Sequence, residues 1–119
     1  AVLSTGDDKG LPWPAPIWFS WEAKSAIMFT DVETKKWGNL SHLPYASLCV
    51  DWRTPPYRSV VMAGPVKKVD RPIYDLVLSM ALRYYGEVEG HKFAEDYIED
   101  NLGVVVFQLE PVKIASYMD

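Results

Sequence analysis

Thr34, Lys35 and Lys36 are the residues of this sequence whose types and spacing most directly suggest chemistry. They follow Phe29-Thr30, which reads as a strand end, and precede Trp37 and Leu40, whose three-residue spacing marks one face of a short helix. Thr34 then stands as N-cap and two lysines fill the first turn. That turn is the positive pole of the helix dipole, where each cation is unfavourable by about 0.3–1 kcal/mol. An anion relieves the conflict, because helix amides, a threonine hydroxyl and two ammonium groups together make a phosphate site. The bland reading of the same residues is two solvated lysines whose cost is partly offset by Glu33. Arg58 and Ser59 form a second polar set at the start of a strand that follows Pro55-Pro56. Pro16-Ile17-Trp18-Phe19 places flat apolar surface on a segment that its prolines partly free from ladder pairing. Such surface suits a planar ligand as well as a core.

Other chemistries lack their residues. There is no G-x-G-x-x-G, no Walker loop, no Cys/His cluster at metal spacing and no Ser-His-Asp set. His42 and His91 are isolated and read as surface or helix-end residues. Cys49, on a strand, reads as a small buried hydrophobe. No catalytic residue and no metal ligand is assigned.

A chain of 119 residues must position these groups, and that is the size of one domain; two would leave neither half with a core. With 49% hydrophobic and 24% charged residues, a disordered or collagen-like chain is excluded. No apolar run reaches the ~18–20 residues of a membrane span and no signal peptide opens the chain. A single cysteine excludes a disulfide framework and suits the cytoplasm. The net charge of −4 argues against a nucleic-acid partner, yet it is unevenly spread. Residues 1–69 carry eight bases against six acids, whereas residues 70–101 carry eight acids against three bases. An anionic ligand therefore belongs to the first half, and the acidic middle reads as a solvated helical face. Five Trp and seven Tyr supply more flat surface than so small a core requires.

The elements expected are a strand over 1–5, a turn at Gly6–Gly10, and an irregular edge strand over 13–21 interrupted by prolines. Strands over 25–30 and 45–52 and the helix from Thr34 to before Pro44 follow. Residues 59–69 read as a long strand, apolar on both faces, with a bulge at Gly64-Pro65. A helix over 71–85 has Asp70 as N-cap and Gly86 as its stop, and a second helix covers 91–101. Residues 104–109 and 112–117 form one terminal strand, or two joined at Pro111. Six or seven strands with two or three helices predict an α+β fold built on a small barrel.

Taken in order, these pieces resemble the pyridoxamine 5'-phosphate oxidase-like flavin-binding split-barrel family. Pro16-Ile17-Trp18-Phe19 is similar to the family's Pro-Val-Trp-Phe strand. Phe29-Thr30, Thr34-Lys35-Lys36 and Asn39-Leu40 match its phosphate-holding strand, loop and helix. Pro56-Tyr57-Arg58-Ser59-Val60 leading to Gly64, and Leu109 to Ile114, match its later strands. The resemblance implies a six-stranded antiparallel split β-barrel with flanking helices over residues 1–119, an N-terminal helix being missing, and a homodimer with FMN in a groove between subunits. It implies that Thr34, Lys35 and Lys36 hold the phosphate. Pro16, Ile17, Trp18, Phe29, Thr30 and Asn39 would line the rest of the cofactor site, and Arg58 and Ser59 would reach it from the partner subunit. A flavin-dependent oxidoreductase acting on a small organic substrate follows, the cofactor supplying the hydride chemistry.

Ser59 stands where the true pyridoxamine phosphate oxidases carry Gln, and the chain ends without their arginine-containing tail. Oxidation of pyridoxamine phosphate is therefore not expected. Coenzyme F-420 is the alternative cofactor, its anionic tail suited to Lys67 and Lys68. A flavin- or haem-binding protein without turnover is a second alternative, disfavoured for haem because neither histidine lies in the matched motifs. An oligonucleotide-binding barrel using Trp stacking is disfavoured by the acidity.

Overall fold

Strands and turns alternate through the first third of the chain because prolines and paired turn residues stop every extended run. The computed structural model describes residues 1–97 and 103–118. Its elements are β1 (Val2–Gly6), β2 (Pro12–Pro16), β3 (Ser20–Glu22), β4 (Ser25–Asp31), α1 (Lys35–His42), β5 (Tyr45–Trp52), β6 (Arg58–Lys68), α2 (Ile73–Tyr85), α3 (Glu87–Glu95), β7 (Val104–Leu109) and β8 (Lys113–Met118). The fold is α+β, with an antiparallel sheet ordered β2-β1-β5-β6-β7-β4-β3 and β8 paired to β6. No helix among the described residues is long and apolar enough to cross a membrane.

The described residues form eight strands where six or seven were expected, and proline marks both points of division. The stretch 13–21 divides into β2 and β3: prolines 12, 14 and 16 withhold ladder donors, so β2 pairs with β1, and residues 17–19 leave the sheet before β3 begins. The terminal stretch divides at Pro111. Leu109 pairs with Val66, and after the break Lys113 pairs with Ala63, so β7 and β8 use successive halves of the long β6. Gly64 and Pro65 mark this change of neighbour. They are not a bulge, since their ladder with Ala46 and Tyr45 of β5 is uninterrupted.

Two apolar layers result. Leu3, Met28, Leu48, Met62, Phe107 and Leu109 fill the barrel, with Leu40 and Trp37 of α1 closing one end. Ile27 and Val106 face the other way, onto Leu76 and Met80 of α2. The strands covered on both faces are thus β4 and β7, rather than β6, whose second face is only half-buried at Val61 and Ala63. Helix α2 begins later than expected. Pro72 occupies its N-cap position without a side-chain cap bond, Asp70 stays exposed, and Arg71 donates to both carboxylate oxygens of Glu22 on β3. Gly86, at φ 83° and ψ −178°, breaks the helix in a conformation that only glycine adopts readily, and α3 starts at once at Glu87. The expected helix over 91–101 therefore begins earlier in the chain, and its residues 98–101 lie outside the described residues.

Candidate functional site

The anion-binding expectation centres on the turn between β4 and α1. Thr34 is extended (φ −73°, ψ 154°) and caps α1, its Oγ1 accepting from the Trp37 amide at 3.3 Å. The same hydroxyl donates to the Asp31 carbonyl at 2.9 Å and lies 3.2 Å from Thr30 Oγ1. Because one hydroxyl carries one proton, Thr30 is the donor of that last bond, and Thr34 then has both lone pairs and its proton engaged. Thr34 shapes the loop; it has no hydrogen-bonding capacity left for a ligand while these contacts persist. The groups still able to meet an anion are the first helical amides, which precede the main-chain bond from Gly38 to Thr34 at 3.1 Å, and the lysine side chains.

The two lysines point to different surroundings. Lys36 is half-buried and lines a cleft of about 290 Å³. Lys35 is exposed, with Nζ 5.1 Å from the ring centroid of Trp13 at the foot of β2. Trp13 is itself held by Asp7, whose Oδ2 accepts from indole Nε1 at 2.9 Å while Oδ1 accepts from the Lys9 and Leu11 amides. These bonds, the indole bond first, hold the Asp7 carboxyl below its usual pKa. Lys35 thus belongs to the contact between the β1–β2 hairpin and α1.

The cleft lining is of two kinds: Thr30, Asp31, Thr34 and Lys36 are polar, and Ile17, Trp18, Phe29, Phe93 and Tyr97 are aromatic or aliphatic. Trp18 stacks on Tyr84 with centroids 5.0 Å apart and also meets Phe93 at 5.1 Å. Tyr97 meets Phe93 at 5.8 Å and Phe29 edge-on at 5.9 Å. Burial, followed by the Asp31 and Asp96 charges, pushes the Tyr97 phenol above its usual pKa, so it is a neutral hydrogen-bonding group at ordinary pH.

Of the residues expected to share a site, the structure brings Ile17, Trp18, Phe29, Thr30, Thr34 and Lys36 together. Pro16 is exposed at the end of β2, paired with Val2 and outside the cleft lining. Asn39 is buried and donates from Nδ2 to Thr5 Oγ1 at 3.0 Å, an internal bond between α1 and β1. Arg58 and Ser59 line a second, larger cavity of about 560 Å³ with Trp52, Tyr57, Tyr117 and Met118. There the Arg58 guanidinium lies 5.5 Å from the Trp52 ring centroid, and Asp51 and Arg53 pair at 3.0 Å. Lys67 and Lys68 are exposed and line neither cavity, and His42 and His91 are likewise exposed and outside both. Sequence reasoning missed Phe93 and Tyr97. Their i, i+4 spacing was the available signal, obscured because the helix was expected to start at His91 and to carry a solvated acidic face.

Residues 1–117 match the family model described as pyridoxamine 5'-phosphate oxidase. No curated protein matches the chain. Among solved structures, an F420 reductase is similar at TM-score 0.78 and 22% identity, over 96% of this chain and 86% of that one. A pyridoxamine 5'-phosphate oxidase-related, FMN-binding protein from Nostoc punctiforme is similar at TM-score 0.67 and 20% identity, covering 97% and 71%. HutZ, a haem storage protein from Vibrio cholerae, is similar at TM-score 0.70 and 14% identity, covering 98% and 83%. At these identities the likeness establishes a shared fold.

Proposed function

The chain belongs to the pyridoxamine 5'-phosphate oxidase family, and from that premise we propose that it is a flavin-dependent oxidoreductase acting on a small organic substrate. It is one split-barrel domain over residues 1–119 that binds FMN and works as a homodimer. The observation that carries this reading is a single cleft whose lining joins Lys36, in the first turn of α1, to the rings of Trp18 and Phe29. A phosphorylated planar cofactor has the matching polarity. FMN, when bound, supplies hydride transfer; the chain binds it, orients it and limits water access.

Lys36 and the helix amides neutralise the phosphate, and the Thr30–Thr34–Asp31 bonds hold the loop so that those amides converge. Ile17, Trp18 and Phe29 offer the apolar surface. At about 290 Å³ the cleft lies at the low end of the roughly 300–1,000 Å³ usual for ligand sites, so a tricyclic ring extends beyond it. Arg58 and Ser59, which line a different cavity in their own chain, complete the site from a second copy. Ser59, in place of the glutamine of true pyridoxamine phosphate oxidases, supports a different substrate.

Coenzyme F-420 is the second reading, favoured by the likeness to an F420 reductase and by the exposed Lys67 and Lys68. Haem ligation is less well supported, because neither His42 nor His91 lines either cavity. Titration of the purified protein with FMN and F-420, followed by absorbance and fluorescence, tests these readings. Micromolar or tighter binding of FMN, with weaker binding of F-420, is expected. The reverse order selects the F-420 branch, and failure of both to bind overturns the proposal.

A further inference from the structure

Helix α3 is carried to the cleft by a close contact with α2. A Cβ on Gly90 would lie 2.8 Å from the Ala81 carbonyl carbon and oxygen and 2.9 Å from Leu82 Cα, closer than real side chains sit. Gly90 and Ala94 are both buried, and they occupy i and i+4 positions on the face of α3 turned to α2. Phe93, on the adjoining side of α3, and Tyr97, in the turn just after the helix where its amide donates to the Ala94 carbonyl at 2.9 Å, both line the cleft. Trp18, Phe93, Tyr97 and Phe29 form an unbroken series of ring contacts, with successive centroids 5.1, 5.8 and 5.9 Å apart. Trp18 and Phe29 pack against the buried layer of Ile27, Leu76, Met80 and Val106, whereas Phe93 and Tyr97 lie outside that cluster and stay half-buried.

We propose that Phe93 and Tyr97 are specificity-determining residues that select a planar aromatic ring in the cleft, and that Gly90 is the positioning residue that sets their distance from Phe29 and Trp18. The inference rests on the flavin reading above and deepens it by assigning the ring-recognition surface to α3 and the turn that follows it. The charged group of the ligand is read by Lys36, and its ring by residues some sixty positions later in the chain. The two contributions are then separable, since each acts on a different part of the ligand.

The test uses FMN and riboflavin, which share the ring and differ in the phosphate, with the full chain and its variants. Phe93→Leu combined with Tyr97→Leu keeps apolar volume and removes both ring faces. Affinity for FMN and for riboflavin is expected to fall by the same factor, about tenfold, and the quenching of flavin fluorescence on binding to diminish. Tyr97→Phe restores the ring face and keeps wild-type affinity and quenching. Gly90→Ala, which pushes α3 outward, also lowers both affinities in parallel. Circular dichroism and Tm verify that each variant is folded. Unchanged affinity and quenching in the double leucine variant, or a loss confined to FMN, overturn this inference while leaving the flavin reading in place. Wild-type protein that binds neither flavin overturns both.

Discussion

Lys35 and Lys36 are adjacent in sequence and alike in chemistry, yet the fold separates their tasks. Lys36 reaches the cleft, while the Lys35 ammonium lies over Trp13, where a cation on an aromatic face is worth about 0.5–1 kcal/mol at an exposed site. Removing Lys36 deletes a charge-assisted contact worth about 1.5–3 kcal/mol, so Lys36→Ala is expected to weaken FMN binding by roughly tenfold or more and leave riboflavin binding unchanged. Lys35→Ala loosens the hairpin contact instead and is expected to weaken FMN binding by a factor of about three or less. Isothermal titration with both ligands distinguishes the two, and equal losses from the two variants would show that the lysines act as one site. The wrong-end placement of both cations was legible in the sequence; the division between them was not. It depends on Trp13, more than twenty positions earlier, whose orientation is set by the carboxylate of Asp7. Asn39 illustrates the same limit. A polar residue one turn into a site helix reads as a ligand contact, but its face is decided by Thr5 on the neighbouring strand.

At the scale of elements, the turn between β3 and β4 is a point of built-in strain. Ala23 and Lys24 both have positive φ, 49° and 65°, in a two-residue hairpin connection. Such turns favour Asn-Gly, and each ordinary residue held in the left-handed region costs about 1–2 kcal/mol. Ala23→Asn with Lys24→Gly is therefore expected to raise Tm by several degrees without altering flavin affinity, read by calorimetry and titration; a lower Tm would mean that the Ala-Lys pair makes compensating contacts. Because the usual turn residues are missing, this hairpin was legible only as a connection between strands. Periodicity served well where burial is one-sided: the Ile73, Leu76, Val77, Met80 stripe of α2 and the capped start of α1 stand as expected. It failed where tertiary pairing overrides local pattern. Proline 111 and Gly64 mark a strand that changes neighbours, since a Cβ at position 64 would lie 1.9 Å from the Glu110 carbonyl oxygen, and no single-strand pattern encodes that approach.

For the molecule as a whole, the outer face of the sheet is the feature that a solitary chain does not explain. Residues directly opposed in the ladders share a face, and across β1, β5, β6 and β8 the sets Val2–Cys49–Val61–Ala115 and Ser4–Ser47–Ala63–Lys113 lie on the side away from the barrel core. These residues are small, largely uncharged and only half-buried at Val2, Ser47, Cys49, Val61 and Ala63, and β8 beside them exposes Ile114, Tyr117 and Met118. A flat face of small side chains lets a second sheet approach closely, and the cavity holding Arg58, Ser59 and Tyr117 opens at its border. If a second copy seats here, its Arg58 and Ser59 are carried toward the partner's cleft, and flavin binding depends on association. Val61→Arg places a charge amid this face, where pairing the two copies would bury it without a partner. The barrel itself tolerates the change, because Val61 faces away from the core. The wild-type chain is expected to sediment as a dimer, and Val61→Arg as a folded monomer with FMN affinity reduced by at least tenfold. A wild-type monomer that binds FMN at full affinity would contradict the shared site, as would a Val61→Arg monomer that keeps it. Should Val61→Arg remain dimeric, the interface lies on another face, and the exposed edge of β8 is then where the second charge, Met118→Lys, belongs.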